Sequence, residues 1–360
     1  MDFTLRVVMT GAALLGLISG ALGTLAVLRR QGLIGDAVSH AALPGIVLAF
    51  LISGSKAPVV LQLGAAVSGT LALLWVQTIL RTTRIRFDAA LGMALAVFFG
   101  IGVVLLSLAQ HTAGAAQAGL DRFLFGQAAT LLRADLMVMA IVGVTTFVLV
   151  VALWKEVKLV LFDADYARAL GLPVRRLEML LIVLLVVAIV IGLQTVGVVL
   201  MSAVLIAPGA AARQWSKRYG QVFLLAGFFG LLSGATGAWL SSLAPRLPTG
   251  PIIVLLLSFL ATLSLFVAPE RGLLWQYRKR KQAARNAQQA VLTVLRELER
   301  RHPHEARPHP AASIQTLLGP EVPVNAILRQ LERHGQVQHE PGRGWRLADR
   351  NPEATHESRS

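Results

Sequence analysis

Asp36, Ser39 and His40 put a carboxylate, a hydroxyl and an imidazole at positions i, i+3 and i+4 near the start of an apolar run. On a helix they share one face. Oxygen and nitrogen donors of this kind suit manganese, zinc or iron, so direct contact with a metal ion is one reading of the trio. A second needs no ligand: Asp36 caps the helix after Gly35 and Ser39 bonds back to a carbonyl. A further set of metal donors is His302, His304 and His309 in a Pro- and His-rich stretch, which reads either as a metal sensor or as a solvated loop. The sequence has no cysteine, which removes thiolate sites and disulfides. It has no Gly-x-x-x-x-Gly-Lys-Ser/Thr phosphate loop, so ATP hydrolysis is not expected of this chain and it is not read as an enzyme.

The elements that must hold these residues are long and apolar. Of the 360 residues, 55% are hydrophobic and 15% charged, against roughly a quarter charged in soluble domains. The apolar residues fall in blocks of about 18 or more, enough to cross the hydrocarbon of a bilayer as helix. Nine spans are predicted: 8–28, 36–54, 60–80, 89–109, 133–154, 177–193, 195–212, 221–243 and 251–268. The break between the sixth and seventh is expected at Gly192-Leu193-Gln194-Thr195, and an eight-span reading merges or loses one of that pair. Gly16-x-x-x-Gly20 and Gly230-x-x-x-Gly234 are read as sites of close helix packing. Gln62, Ser68, Gln77, Gln194, Ser202 and Ser233 are read chiefly as helix-to-helix bonds, and Pro208, which frees a backbone carbonyl, chiefly as a kink with a metal-facing oxygen as the alternative.

A net charge of +15 raises the question of nucleic acid, but much of it sits in short loops beside the spans. Arg29 and Arg30, then Arg81, Arg84 and Arg86, then Lys155 to Arg176, then Arg213, Lys217 and Arg218, then the tail from Arg271 outweigh the opposite loops. The richer side is cytoplasmic, which puts the amino terminus outside and the carboxyl tail inside.

Four stretches in register resemble the metal-ion permeases of ABC importers, the manganese/zinc/iron family. Gly35-Asp36-Ala37-Val38-Ser39-His40-Ala41-Ala42-Leu43-Pro44-Gly45 is similar to that family's GDAxSHAxLPG segment. Phe162-Asp163-Ala164-Asp165-Tyr166-Ala167-Arg168-Ala169-Leu170-Gly171 resembles its cytoplasmic FDxxxAxxxG loop. Gly197–Leu200 through Leu205–Ala212 resembles a late apolar segment ending in Pro and small residues, and Pro248-Thr249-Gly250 the entry to the last span. The resemblance covers residues 5–270. It implies an inner-membrane permease that moves a divalent transition metal by alternating access and holds no permanent cofactor. It also implies three partners: a separate ATP-binding subunit, an extracytoplasmic metal-binding protein, and a second permease copy or paralogue. The Phe162–Gly171 segment would dock on the ATPase, with Phe162, Asp163, Tyr166, Ala167, Leu170 and Gly171 as coupling residues. From the residues alone, Asp163 or Asp165 caps a short helix whose Tyr166 and Leu170 form an apolar face, and Gly171 and Pro173 end it.

The fold class expected is therefore all-α polytopic membrane protein with a small cytoplasmic α+β extension. The boundaries are 1–270 for the permease, 271–283 for a basic linker, 284–348 for the extension and 349–360 for a disordered tail, and the basic stretch 276–285 is read as a helical exit from the membrane that also meets anionic lipid. Helical spacing over 284–301, 311–318 and 323–334 followed by a hairpin at 336–347 is the order of a winged helix. Glu332 interrupts Arg329, Arg333 and His334, so a protein-contact or regulatory role is favoured over nucleic acid. Two rival readings are an ion-coupled secondary transporter, which calls for acidic residues deep in the spans, and a membrane-anchored metal-responsive regulator.

Overall fold

The structure, a computed structural model, describes residues 3–55, 57–110, 126, 131, 133–244, 247–269, 272–301 and 308–348. Among them nine helices are long and apolar enough to cross a membrane. They are α1 (Phe3–Leu28), α2 (Ile34–Ser53), α3 (Pro58–Thr82), α4 (Phe87–Gln110), α5 (Arg133–Ala152), α8 (Val174–Val196), α9 (Val198–Trp215), α10 (Tyr219–Ser241) and α11 (Thr249–Val267). Two short helices, α6 (Trp154–Phe162) and α7 (Ala164–Ala169), lie between α5 and α8, where the sequence suggested a single short helix. Ile52, Leu63, Val67, Val104, Phe228 and Leu255 are all exposed. A soluble monomer rarely presents apolar surface on that scale, and lipid is the solvent that suits it.

Small residues set how closely the helices approach. In lipid there is little hydrophobic drive between helices, so association depends on van der Waals packing where backbones can meet. The two Gly-x-x-x-Gly motifs turn out to be partners: Gly16 abuts the backbone of Gly230, and Gly234 that of Ala12, where α1 crosses α10. Gly20 packs on Ala226 and Gly23 on Leu205 of α9. A second crossing joins α2 to α3 through Gly45 and Gly64 and carries a buried bond from Ser68 Oγ to the Ala41 carbonyl at 2.6 Å. A Cβ on Gly102 of α4 would stand 2.9 Å from Leu43 and 3.0 Å from Pro44, so α4 covers that stretch of α2.

The break between the sixth and seventh spans falls at Gly197, later than the expected Gly192–Thr195. Gly197 has φ 88°, a conformation that L side chains avoid, whereas Gly192 continues the helix and makes room for Met201. Thr195 satisfies its hydroxyl on the Gly192 carbonyl at 2.9 Å and needs no break.

The chain divides into two compact units, Met1–Leu273 and Leu274–Ser360. The second holds most of α12 (Leu273–Arg301), then α13 (Ala311–Leu318), α14 (Val324–Arg333), β1 (Val337–Glu340) and β2 (Gly344–Leu347). Residues 273–283, most of the expected linker, are the first turns of α12, so the helical exit read at 276–285 runs on without a break into the helix expected from 284. Val291 and Leu295 close its core against Ile314, Val324, Leu328, Leu331, Val337 and Trp345. The strands pair antiparallel from Val337↔Leu347 to Glu340↔Gly344, and Glu299 accepts the Leu347 amide at 2.8 Å. Three helices and a hairpin is the element order expected. Arg329 and Arg333 lie in the second half of α14 and His334 is its C-cap, with the exposed His334 ring turned back to the Gln330 carbonyl. The tail 349–360 lies outside the described residues.

Candidate functional site

Asp36 and His40 come together on α2. The Asp36 Oδ1 to His40 Nε2 distance is 3.5 Å, with the imidazole 22% and the carboxylate 38% exposed. Asp36 is no cap: Leu33 holds the N-cap position and no side chain bonds there. The acidic group sits in the first turn, where the helix dipole favours it. Phe99 of α4 meets the imidazole edge to face at 4.9 Å and 81°. The other ring nitrogen, Nδ1, is buried and has no hydrogen-bond partner.

Ser39 departs from both sequence readings. It is fully buried, it does not bond back to a carbonyl, and its Oγ has no partner. It stands one turn beyond Gly35, which packs on Ser202 and Leu205 of α9. The structure thus pairs two members of the trio and sets the third into the protein.

Pro44 adds a feature that sequence reasoning passed over. A proline has no N–H, so the carbonyl four residues earlier, that of His40, lacks its usual helical donor. The signal was present in the i, i+4 spacing of His40 and Pro44. Phe99, by contrast, is remote in sequence and visible only in the fold.

Among the described residues no group of three or more His, Asp or Glu is placed to hold a metal ion. His302 and His304 lie outside the described residues. His309 exchanges two backbone bonds of 2.8 Å with Trp345 and braces the hairpin.

The 162–171 segment is built as a short rigid elbow. Asp163, rather than Asp165, caps α7, accepting the Tyr166 amide at 2.9 Å. Asp165 instead pairs with Arg168 on the surface. Gly171 adopts φ 78°, and the amides of Gly171 and Leu172 close back on Arg168 and Ala167. Ala167 is buried against Val160, Val174 and Leu177, which locks α7 to α6 and α8. Phe162, Tyr166 and Leu170 fall at i, i+4 and i+8 and point outward, 62%, 54% and 56% exposed. Phe162 at the end of α6, Tyr166 on α7 and Leu170 at the C-cap of α7 thus present three large side chains outside the spans. Phe162 also approaches Tyr219 of α10, with ring centroids 6.3 Å apart, and Tyr219 stacks on Trp154 at 4.6 Å.

At the elbow between α1 and α2, burial holds the Arg29 guanidinium below its ordinary pKa, and the negative charge of Glu178 opposes that shift. Glu178 lies one turn into α8, just beyond the 162–171 segment. Arg30 beside it adopts φ 57° and closes α1, with the Gln31 amide returning to the Ala26 carbonyl at 2.8 Å.

A family profile described as the ABC 3 transport family matches residues 1–268. The zinc transport system membrane protein TroC of Treponema pallidum is 47% identical over 283 residues, covering 79% of this chain and 95% of TroC. The manganese transport system membrane protein MntC of Bacillus subtilis is 45% identical over 266 residues, covering 74% of this chain and 61% of MntC. Among solved structures, PsaBC from Streptococcus pneumoniae in complex with Fab aligns with a TM-score of 0.67 and 29% identity, covering 78% of this chain and 96% of that one.

Proposed function

The chain belongs to the ABC 3 transport family, and on that premise we propose that it is the membrane permease of an ATP-driven importer of zinc, manganese or iron. The observation that carries the metal contact is the Asp36–His40 spacing. Two ligands about 2.1 Å from one ion at a tetrahedral angle stand about 3.4 Å apart. The carboxylate oxygen and the imidazole nitrogen stand 3.5 Å apart. Both are partly open, so an ion can reach them.

One carboxylate and one imidazole do not complete a coordination sphere. A second permease copy presenting the same pair supplies the two ligands that a four-coordinate site lacks. The His40 carbonyl, released by Pro44, is a further oxygen for a harder ion such as manganese. Ser39, fully buried one turn beyond Gly35, acts on this site by packing.

The energy enters through the 162–171 elbow. Hydrolysis belongs to a separate ATP-binding subunit that seats on Phe162, Tyr166 and Leu170. Asp163 and Gly171 hold α7 in a fixed shape, and buried Ala167 ties it to α8, so a push on the elbow moves a span. Alternating access then exposes the Asp36–His40 pair first to the outer side, where an external binding protein delivers the metal, and then to the cytoplasm. The excess of Lys and Arg on the elbow's side supports a cytoplasmic elbow, an outer amino terminus and a cytoplasmic carboxyl unit. The protein carries its metal as cargo and needs no resident cofactor.

The test is metal uptake in a deletion strain complemented with Asp36→Ala or His40→Ala, alongside purification with the neighbouring gene products. Uptake is expected to fall by at least tenfold while the ATPase still co-purifies. Normal uptake in both variants removes the pair from the pathway. Failure of the wild-type chain to retain any ATPase removes the importer reading.

A further inference from the structure

From Leu273 to Asn286 every described side chain of α12 is exposed, four turns of helix with no core of their own. The second half of the same helix is anchored by Val291 and Leu295, so the exposed half is not a fraying end. Its composition is one-sided. Residues 271–296 contain no Asp or Glu, and Arg278, Lys279, Lys281 and Arg285 follow Trp275 and Tyr277. Among the described residues none of these four cations is paired with a carboxylate.

Helical spacing gathers Leu274, Arg278, Lys281 and Arg285 on one face at i, i+4, i+7 and i+11. Beside them, a recess of about 430 Å³ is lined by Trp275, Arg278, Lys279, Lys281, Gln282 and Arg285. Chain length limits where this face can be. Only residues 268–272 separate the end of α11 from α12, so the first turn of α12 stays within about 20 Å of the end of a span. That is the headgroup zone, where amphipathic Trp and Tyr rings concentrate and cations meet lipid phosphate.

We propose that the first four turns of α12 form a docking surface for anionic phospholipid headgroups, with Arg278, Lys279, Lys281 and Arg285 contacting phosphate and Leu274, Trp275 and Tyr277 entering the interface. A bias in loop charge that only orients a membrane protein requires positive residues on one side. It does not require Arg278, Lys281 and Arg285 in one stripe, continuous with exposed apolar and aromatic groups. A nucleic-acid groove would need no Trp or Leu at the end tethered to a span. Each cation near an anionic surface contributes about a fivefold shift towards the docked state, so four together shift it by several hundredfold as an order of magnitude.

The chain has no cysteine, so Gln282→Cys carries a single environment-sensitive fluorophore on the full-length protein. The labelled protein is placed in nanodiscs of phosphatidylcholine, with or without phosphatidylglycerol, with a headgroup spin-labelled lipid as quencher. Strong quenching is expected only with phosphatidylglycerol. It should be lost at about 1 M salt, where screening acts within about 3 Å, and in the R278Q/K279Q/K281Q/R285Q variant. Equal quenching in the two lipid compositions, or quenching in that variant equal to wild type, overturns the proposal. The lipid and salt comparisons need no variant, so the result does not depend on how the fourfold substitution folds.

Discussion

Replacing Gly16 with alanine should force α1 away from α10 at their point of closest approach. A Cβ there would lie 2.5 Å from the Gly230 carbonyl carbon and 3.2 Å from the Leu231 amide nitrogen. Carbon atoms rest at about 3.5–4.0 Å, so the helices must part by roughly 1 Å. The obstacle is backbone on a second helix, which cannot swing aside as a side chain would. Overpacked cores lose about 1–3 kcal/mol, and a clash with backbone belongs at the upper end, near 3 kcal/mol. The separation also loosens Gly20 on Ala226 and Gly234 on Ala12, which lie along the same seam. Gly230→Ala should cost a similar amount, because its Cβ meets Gly16 in the same gap. The double variant should cost less than the sum, since one separation relieves both clashes. Gly92→Ala and Gly100→Ala on α4 are the controls: nothing lies within 4 Å of either Cβ. Both should be neutral, or more stable by up to about 1 kcal/mol from helix propensity. The assay is reversible unfolding of the purified protein in mixed micelles, followed by circular dichroism. If Gly16→Ala unfolds within about 0.5 kcal/mol of the Gly92→Ala control, the close crossing is not what holds these helices, and the reasoning from backbone contact fails.

Three further outcomes follow from the elbow and the α1 terminus. Asp163→Ala removes the cap of α7 and should cost about 1 kcal/mol locally, read as roughly fivefold faster exchange of the Tyr166 amide; unchanged protection would mean that the 2.9 Å bond is not what orders the elbow. Tyr166→Asp or Leu170→Asp, each at a site more than half exposed, should leave unfolding unchanged while abolishing co-purification with the ATPase; a complex retained in both variants would move the docking face elsewhere. Arg30→Gly relieves a left-handed backbone at φ 57° and should stabilise the protein by about 0.5–1 kcal/mol, net of glycine's greater freedom in the unfolded chain; a loss of stability in the same unfolding assay would show that the arginine side chain contributes more than the strain costs.

The spans were legible because each is a local consequence of composition. A block of some twenty apolar residues in lipid must bond its own backbone, and the predicted limits fall within a few residues of α1 to α5 and α8 to α11. The Gly197 break was misplaced by a few residues, since both Gly192 and Gly197 interrupt the run and only the backbone conformation tells packing glycine from hinge glycine. The elbow was legible in part: a capped helix ended by Gly171 was foreseen, but the choice of Asp163 over Asp165 depends on which carboxylate faces a free amide. α6 escaped because Trp154–Phe162 is too short to carry a clear period.

By itself the sequence determined the number of apolar blocks, the sidedness of their flanking charge, and the placement of Asp36, Ser39 and His40 within five residues, since these need only local spacing. It could say that Gly16, Gly20, Gly230 and Gly234 were suited to close contact, though not that they met one another. Tertiary structure decided that pairing. It also separated Ser39, which is fully buried, from Asp36 and His40, which stay partly exposed, because burial depends on which neighbour arrives from far along the chain. The same holds for Phe162, Tyr166 and Leu170: their even spacing is visible in the sequence, but the chain breaks at Asp163 between α6 and α7, and only the packed elbow with Ala167 buried leaves all three facing outward.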